Sequence, residues 1–309
     1  MNPFSQALLS NDLELIKTFP KSDLHNHASL GSRLSAFESW CGKSLPKPPE
    51  KMSALEEMDI YLTEVLAPTL LNRAGFEYSI QAAFEQAFDD GVNTVGMSID
   101  CFFATMFVNI DEFIQTIEGI YHSEGKEIHY LPELGINRAM KADLIESKVM
   151  PCLESGYFKA IDLYGVEAEN DFMKFKDIYR FAENHNIKRK AHCGEFLGAE
   201  SIRKTVEALQ LQEVQHGITA VQSKEVMTWL QRNNIQLNVC PTSNVRLGRV
   251  EKMEMHQARI LADKGISITI NSDDIMIFDQ SVSQEYVNLY KAGVFSGEEL
   301  DLIRLNGLK

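Results

Sequence analysis

Four short segments carry the residues able to do chemistry. In Asp23-Leu24-His25-Asn26-His27 two histidines stand two apart. Residues i and i+2 of a strand face the same side, so both imidazoles can reach one metal ion, although two surface or loop histidines would show the same spacing. His192 and Glu195 fall in Lys190-Ala191-His192-Cys193-Gly194-Glu195, where Gly194 lets the chain turn and swing the carboxylate toward the cavity that His192 enters. The plainer reading of Glu195 is a first-turn carboxylate at a helix N-terminus. His216 stands in Val214-Gln215-His216-Gly217, where an isolated histidine is more often structural. Asn271-Ser272-Asp273-Asp274 follows the apolar alternation Ile266, Ile268, Ile270. Its adjacent carboxylates repel unless a cation, a donor or protonation relieves them, and Ser-Asp-Asp is also ordinary helix-capping chemistry.

The elements that must position these groups are short apolar or β-branched runs alternating with helical spacing. Eight candidate strands cover 21–27, 92–100, 128–137, 158–164, 188–193, 213–216, 235–239 and 266–271. Helical apolar spacing recurs between them, as in Phe76, Ile80, Ala83, Phe84, Ala87, Phe88 and again in Phe172, Phe175, Ile178, Tyr179, Ala182. Gly91 and Gly265 sit where a helix would end before the next strand. Eight β-then-α units predict an α/β fold of the (β/α)₈ barrel type, with a doubly wound open sheet as the alternative that pattern alone allows. The long irregular stretch 33–73, with Leu45-Pro46-Lys47-Pro48-Pro49 and then apolar Leu55, Met58, Tyr61, Leu62, Val65 and Leu66, predicts a helical lid inserted after the first strand. No repeat, low-complexity tract or linker interrupts the pattern, so residues 1–309 are expected to form a single domain.

All four chemical segments close a strand at its C-terminal end, the face on which barrels collect catalytic residues. Four coincidences are harder to accept than one. Three histidines and one aspartate make a ligand set suited to Zn²⁺, leaving Glu195, Asp274 or one of the histidines for proton transfer.

Composition narrows the class further. The 309 residues include 30 Lys and Arg against 44 Asp and Glu, a formal charge of −14. Without clustered basic residues the chain is not expected to bind nucleic acid. The 5 cysteines are odd in number and widely spaced with no Cys-x-x-Cys, which reads as reduced thiols. The opening MNPFSQALLSNDLELIK has charges where a signal peptide needs an apolar stretch, and no later run approaches about 18 apolar residues. The expectation is a cytoplasmic protein with no membrane association and no inferable protein partner.

At this point the residues resemble a family, the adenosine deaminases of the amidohydrolase superfamily. The resemblance lies in Pro20-Lys21-Ser22-Asp23-Leu24-His25-Asn26-His27, Ile161-Asp162-Leu163-Tyr164-Gly165-Val166-Glu167, Ala191-His192-Cys193-Gly194-Glu195, Gln215-His216-Gly217, Cys240-Pro241-Thr242-Ser243-Asn244 and Asn271-Ser272-Asp273-Asp274, in the family's order across nearly the whole chain. It implies a (β/α)₈ barrel with one Zn²⁺ per chain held by His25, His27, His192 and Asp273. It also implies Glu195 as proton donor, His216 as the base that orients water, Asp274 as the partner of purine N7, and Gly165 as a backbone donor to purine N3. The implied reaction is hydrolytic deamination of adenosine, or of a close analogue, to inosine and ammonia. The end of the fourth strand, Leu163-Tyr164-Gly165, lacks the lysine with which bimetallic relatives bridge two ions. The zinc deaminases of the His-x-Glu plus Pro-Cys-x-x-Cys type are not matched, because Cys240-Pro241 has no second cysteine nearby.

The chain departs from the family in several places. After His27 it reads Ala28-Ser29-Leu30-Gly31-Ser32, without the carboxylate that takes the ribose 5′-hydroxyl, leaving Ser29 or Ser32 as a weaker neutral anchor. The second strand ends Gly96-Met97-Ser98-Ile99-Asp100, and Ile275 follows Asp274 where a proline is usual. The sequence stops at Leu308-Lys309, soon after the 296–305 segment, where relatives usually continue; this reads as either a minimal or a shortened C-terminus. The substrate is therefore expected to be a small purine nucleoside or base, with adenine or N6-substituted adenines as alternatives and anionic nucleotides disfavoured. Two further readings of the barrel are a metal-dependent hydrolase of esters, amides or phosphotriesters, and a purine-binding protein without turnover.

Overall fold

The computed structural model describes residues 2–125 and 127–309. Eight strands run β1 Lys21–His27, β2 Val92–Asp100, β3 His129–Asn137, β4 Ala160–Tyr164, β5 Lys188–Cys193, β6 Glu213–His216, β7 Gln236–Val239 and β8 Ile268–Ile270. They pair in parallel in chain order from β1 to β8. The ring closes through a bridge between Asn26 and Asp273, with the Asp273 amide donating to the His25 carbonyl at 2.9 Å and Leu24 N to Asn271 Oδ1 at 2.8 Å. The architecture is the (β/α)₈ barrel, and the open-sheet alternative is excluded by this closure.

Four strands begin or end later or earlier than the apolar runs suggest. Ile128, Phe158, Ile235 and Ile266 are buried yet stand outside the ladders. An apolar run reports burial, while a strand needs paired backbone, so these residues pack without pairing. The helical spacing over 172–182 likewise splits into a 3₁₀ turn, Asp171–Phe175, and an α-helix, Lys176–Asn184. Gly91 and Gly265 do end the segments before β2 and β8, with φ of 68° and 78°.

The outer helices bury one face against the barrel. In Arg73–Asp89, Phe76, Ile80 and Phe84 join the main apolar cluster with Val95 and Met97 of β2. Each fully buried side chain of this size contributes roughly 1.5–3 kcal/mol. Inside the barrel the lower layer is polar. Lys190 Nζ lies 2.8 Å from Glu133, 3.5 Å from Glu213 and 2.9 Å from the Leu24 carbonyl. Such buried charges persist only when paired, and this group ties β1, β3, β5 and β6 together beneath the site.

The 33–73 insertion folds as short helices, Leu34–Cys41, Leu55–Tyr61 and Ala67–Leu70, with a π turn at Leu62–Leu66. Its Phe37, Met58, Tyr61, Leu66 and Leu70 form a second apolar cluster with Leu247, Met276, Ile277 and Phe278 from the loops after β7 and β8. The segment is thereby packed over the C-terminal ends of the strands. Among the described residues no helix is long and apolar enough to cross a membrane.

Candidate metal centre and its cavity

A cavity of about 260 Å³ opens at the C-terminal ends of the strands. His27, Ser29, Gly165, His192, Glu195, His216, Asp273 and Asp274 all line it. His25 is buried beside them, its ring 4.7 Å from that of His192 and 4.5 Å from that of His216. Except for Ser32, the alternative anchor, every residue given a role from the sequence is thus brought to one place. The ligand atoms of His25, His27 and His192 lie within 4.8 Å of one another, as do those of His25, His216, Cys240 and Asp273, and those of His27, Asp273 and Asp274.

Strand geometry delivers the histidines. His25 and His27 leave β1 on one side, as their spacing predicts, and His192 leaves the end of β5. Gly194 follows with φ of 70°, and a Cβ there would lie 2.3 Å from Ile202 Cγ1, so only glycine makes this turn toward Glu195. His216 and Asp273, which close β6 and follow β8, hold left-handed φ of 63° and 61°. Non-glycine residues there cost about 1 kcal/mol or more, and such strain collects at functional sites.

The ring protons decide whether these residues suit a cation. His25 Nδ1 lies 2.9 Å from the Asn238 carbonyl oxygen, which can only accept, so that nitrogen carries the proton. His192 Nδ1 lies 3.2 Å from the Asp162 carboxylate and is protonated for the same reason. The two Nε2 lone pairs therefore face each other at 3.0 Å. Lone pairs at that distance repel, and a cation between them removes the conflict. Asp273 Oδ1 stands 3.7 Å from Nε2 of both His25 and His27, where it could offer an anionic ligand. Burial pushes the His25 imidazole down to about 4 and that of His192 well below its ordinary value, which keeps both neutral as ligands must be. The donor set fits a metal ion with nitrogen and oxygen ligands, and Asp162 and the Asn238 carbonyl orient it from behind.

The remaining groups flank this centre. Glu195 Oε2 lies 3.4 Å from His216 Nε2, and Asp273 Oδ2 lies 3.8 Å from the same nitrogen. Burial, with the nearby Asp273 and Glu167 charges, holds the Glu195 carboxyl well above its usual range. Asp274 is buried, its Oδ1 has no hydrogen-bond partner among the described residues, and burial with the Asp273 charge holds its carboxyl well above the usual range, so it can donate into the cavity. Glu167 accepts the amide N–H groups of Gly194, Glu195 and Phe196 at 3.0, 2.9 and 3.0 Å, which fixes the loop that presents Glu195. Across the cavity the insertion adds Leu55, Met58, Asp59, Leu62 and Leu66, while Asp100 accepts a hydrogen bond from Tyr164.

Several of these residues escaped the sequence reading. Asp162, a charge inside the apolar strand Ile161-Asp162-Leu163, signals a buried partner, and Glu167 and Asn244 lie within the matched motifs without an assigned task. Cys240 lies in a matched motif and Asp100 closes the second strand, both without an assigned task, whereas Asp59 and His256 carry no local signal, since only the fold brings them near.

Comparison with known proteins bears on the family and fold of this chain. The profile of a family described as adenosine deaminase matches residues 136–309. A protein of Treponema pallidum (strain Nichols), provisionally named an adenosine/adenine deaminase, is 32% identical over 285 residues, covering 92% of this chain and 95% of that protein. Among solved structures, the adenine deaminase of Arthrobacter aurescens shares 24% identity with a TM-score of 0.80, over 94% of this chain and 92% of that chain. An amidohydrolase from Burkhoderia ambifaria with bound Zn shares 17% identity with a TM-score of 0.81, over 100% of this chain and 88% of that chain. The two structures share the fold.

Proposed function

The chain belongs to the adenosine deaminase family of hydrolytic deaminases, and on that premise we propose that it is a zinc-dependent aminohydrolase converting adenosine, or a close neutral analogue, to inosine and ammonia. The observation that carries this reading is the pair of opposed Nε2 lone pairs of His25 and His192, with His27 and Asp273 beside them. His25, His27, His192 and Asp273 would hold one zinc ion. Bound there, zinc supplies Lewis acidity, which brings the pKa of water to about 7.

The chain's own residues account for the rest of the reaction. Displacing ammonia from C6 needs ring nitrogen N1 protonated as C6 becomes tetrahedral. Glu195, held protonated by burial beside Asp273 and Glu167, donates that proton. His216, between Glu195 and Asp273, holds the attacking water. Asp274, kept protonated by burial beside Asp273, donates to purine N7, and the Gly165 amide, at φ of 100°, donates to N3. The apolar residues of the 33–73 insertion serve as a lid that keeps bulk water from the ring.

The cavity also supports a choice among purines. Its ionisable lining residues are His27, His192 and His216 with the carboxylates Asp59, Asp100, Glu195, Asp273 and Asp274. Among the described residues no lysine or arginine lines it to pair with a phosphate group, so the substrate class is the uncharged nucleoside or free base. An ammonia-release assay over adenosine, deoxyadenosine, adenine and N6-substituted analogues tests the reading. Turnover of an ester or phosphotriester with none of any purine would replace it by the other hydrolase chemistry.

A further inference from the structure

We propose that His256 and Asn244 are positioning residues that fix which nitrogen of His216 carries its proton, making His216 a hydrogen-bond donor at the reacting site. What His216 donates to rests on the deaminase reading, whereas the placement of the proton does not.

The argument starts from one backbone amide. Ala258 N lies 3.1 Å from His256 Nδ1. A backbone N–H can only donate, so Nδ1 presents its lone pair and the proton of the neutral ring sits on Nε2. Burial keeps the ring neutral, pushing its pKa down to about 4. His256 Nε2 lies 3.3 Å from Asn244 Oδ1, so the carboxamide must turn its oxygen toward His256. Its NH₂ then points the other way, 3.1 Å from His216 Nδ1 and 3.5 Å from Glu195 Oε1. An amide NH₂ cannot accept from an imidazole N–H, so His216 Nδ1 carries the lone pair and Nε2 the proton.

That N–H faces the space between Glu195 Oε2 and Asp273 Oδ2, at 3.4 and 3.8 Å. His256, Asn244 and His216 are 2%, 0% and 2% exposed, so no solvent competes for any link of the chain. A neutral His216 in this state holds a water by donating to its oxygen and has no lone pair there with which to take a proton. The sequence reading of His216 as a base is thereby refined to a donor whose orientation is set two residues away.

The test is imidazole ¹⁵N NMR on the zinc-loaded protein, with the His216 signals identified by their loss in His216→Gln. Wild-type His216 and His256 are expected to be protonated at Nε2 and bare at Nδ1. In Asn244→Asp both side-chain oxygens accept, so His216 should move its proton to Nδ1, with kcat falling about 100-fold or more and KM changing little. His256→Leu frees the carboxamide to rotate and should also lower kcat, and His256→Gln, which keeps a donor, should recover most of that loss. A wild-type His216 protonated at Nδ1 overturns the proposal. So does equal loss in His256→Leu and His256→Gln, or an Asn244→Asp protein with unchanged tautomer and kcat. Should the wild type release ammonia from no purine, the deaminase reading fails while the spectrum still decides the proton's place.

Discussion

The carboxylate of Glu167 holds the backbone of Glu195: its Oε1 accepts the Glu195 amide at 2.9 Å while the same side chain takes the amides on either side. A loop residue after β4 therefore sets where a loop residue after β5 presents its acid. Glu167→Ala leaves these donors without a partner, at a cost of about 2 kcal/mol or more in chemical denaturation. Displacing the acid by a fraction of an ångström to 1 Å should lower kcat about 100-fold. A variant with reduced stability and wild-type kcat would show that the loop holds its shape without Glu167.

The role proposed for Asp162 can be separated by measurement from those of the proposed metal ligands. Asp162 Oδ1 lies 3.2 Å from His192 Nδ1 and fixes that ring's proton. Asp162→Asn is expected to weaken zinc binding about 10- to 100-fold while leaving the barrel folded. Removing the metal with a chelator should lower Tm and abolish ammonia release, and zinc should restore both, because binding to the folded site adds to folding stability. Equal zinc affinity in the variant and wild type, read by competition with a chromophoric chelator, would contradict the assignment.

Charge in the cavity predicts substrate discrimination. With no lysine or arginine lining the cavity among the described residues, and with Asp59 and Asp100 there instead, kcat/KM for adenosine should exceed that for AMP by about 100-fold or more. Asp59→Asn combined with Asp100→Asn should narrow the gap. Comparable turnover of the two substrates by the wild type would show that the phosphate finds a partner.

The buried neutral His256 makes stability depend on pH. Its imidazole drops from the ordinary 6.5 to about 4 in the folded chain. Between those values the unfolded state binds a proton that the native state does not, so stability falls as pH is lowered through this window. The contribution is on the order of 3 kcal/mol. Urea denaturation at pH 7, 5.5 and 4 should show a steeper decline for the wild type than for His256→Gln, and identical slopes would contradict it.

Much of this was legible in the sequence because its signals are local. The i, i+2 spacing of His25 and His27 survives as one face of β1, and Gly194 marks the turn toward Glu195. Strand ends were less legible, since Phe158 and Ile266 look like strand residues for the same reason that they are buried. The supporting shell was the hardest to read. His256 reaches His216 through Asn244, residues 12 and 28 positions apart at the two links, and no periodicity encodes such a contact. Asp59 comes to the cavity only because the insertion folds back over loops from the far end of the chain.

The most direct test of the central claim is ammonia release from adenosine and adenine by zinc-loaded protein, measured alongside metal content for the wild type and Glu195→Gln. The account predicts release by the wild type, none by Glu195→Gln, and about one zinc per chain in both. Full activity in Glu195→Gln, or a zinc-loaded wild type that releases no ammonia from either purine or their N6-substituted analogues, would contradict it.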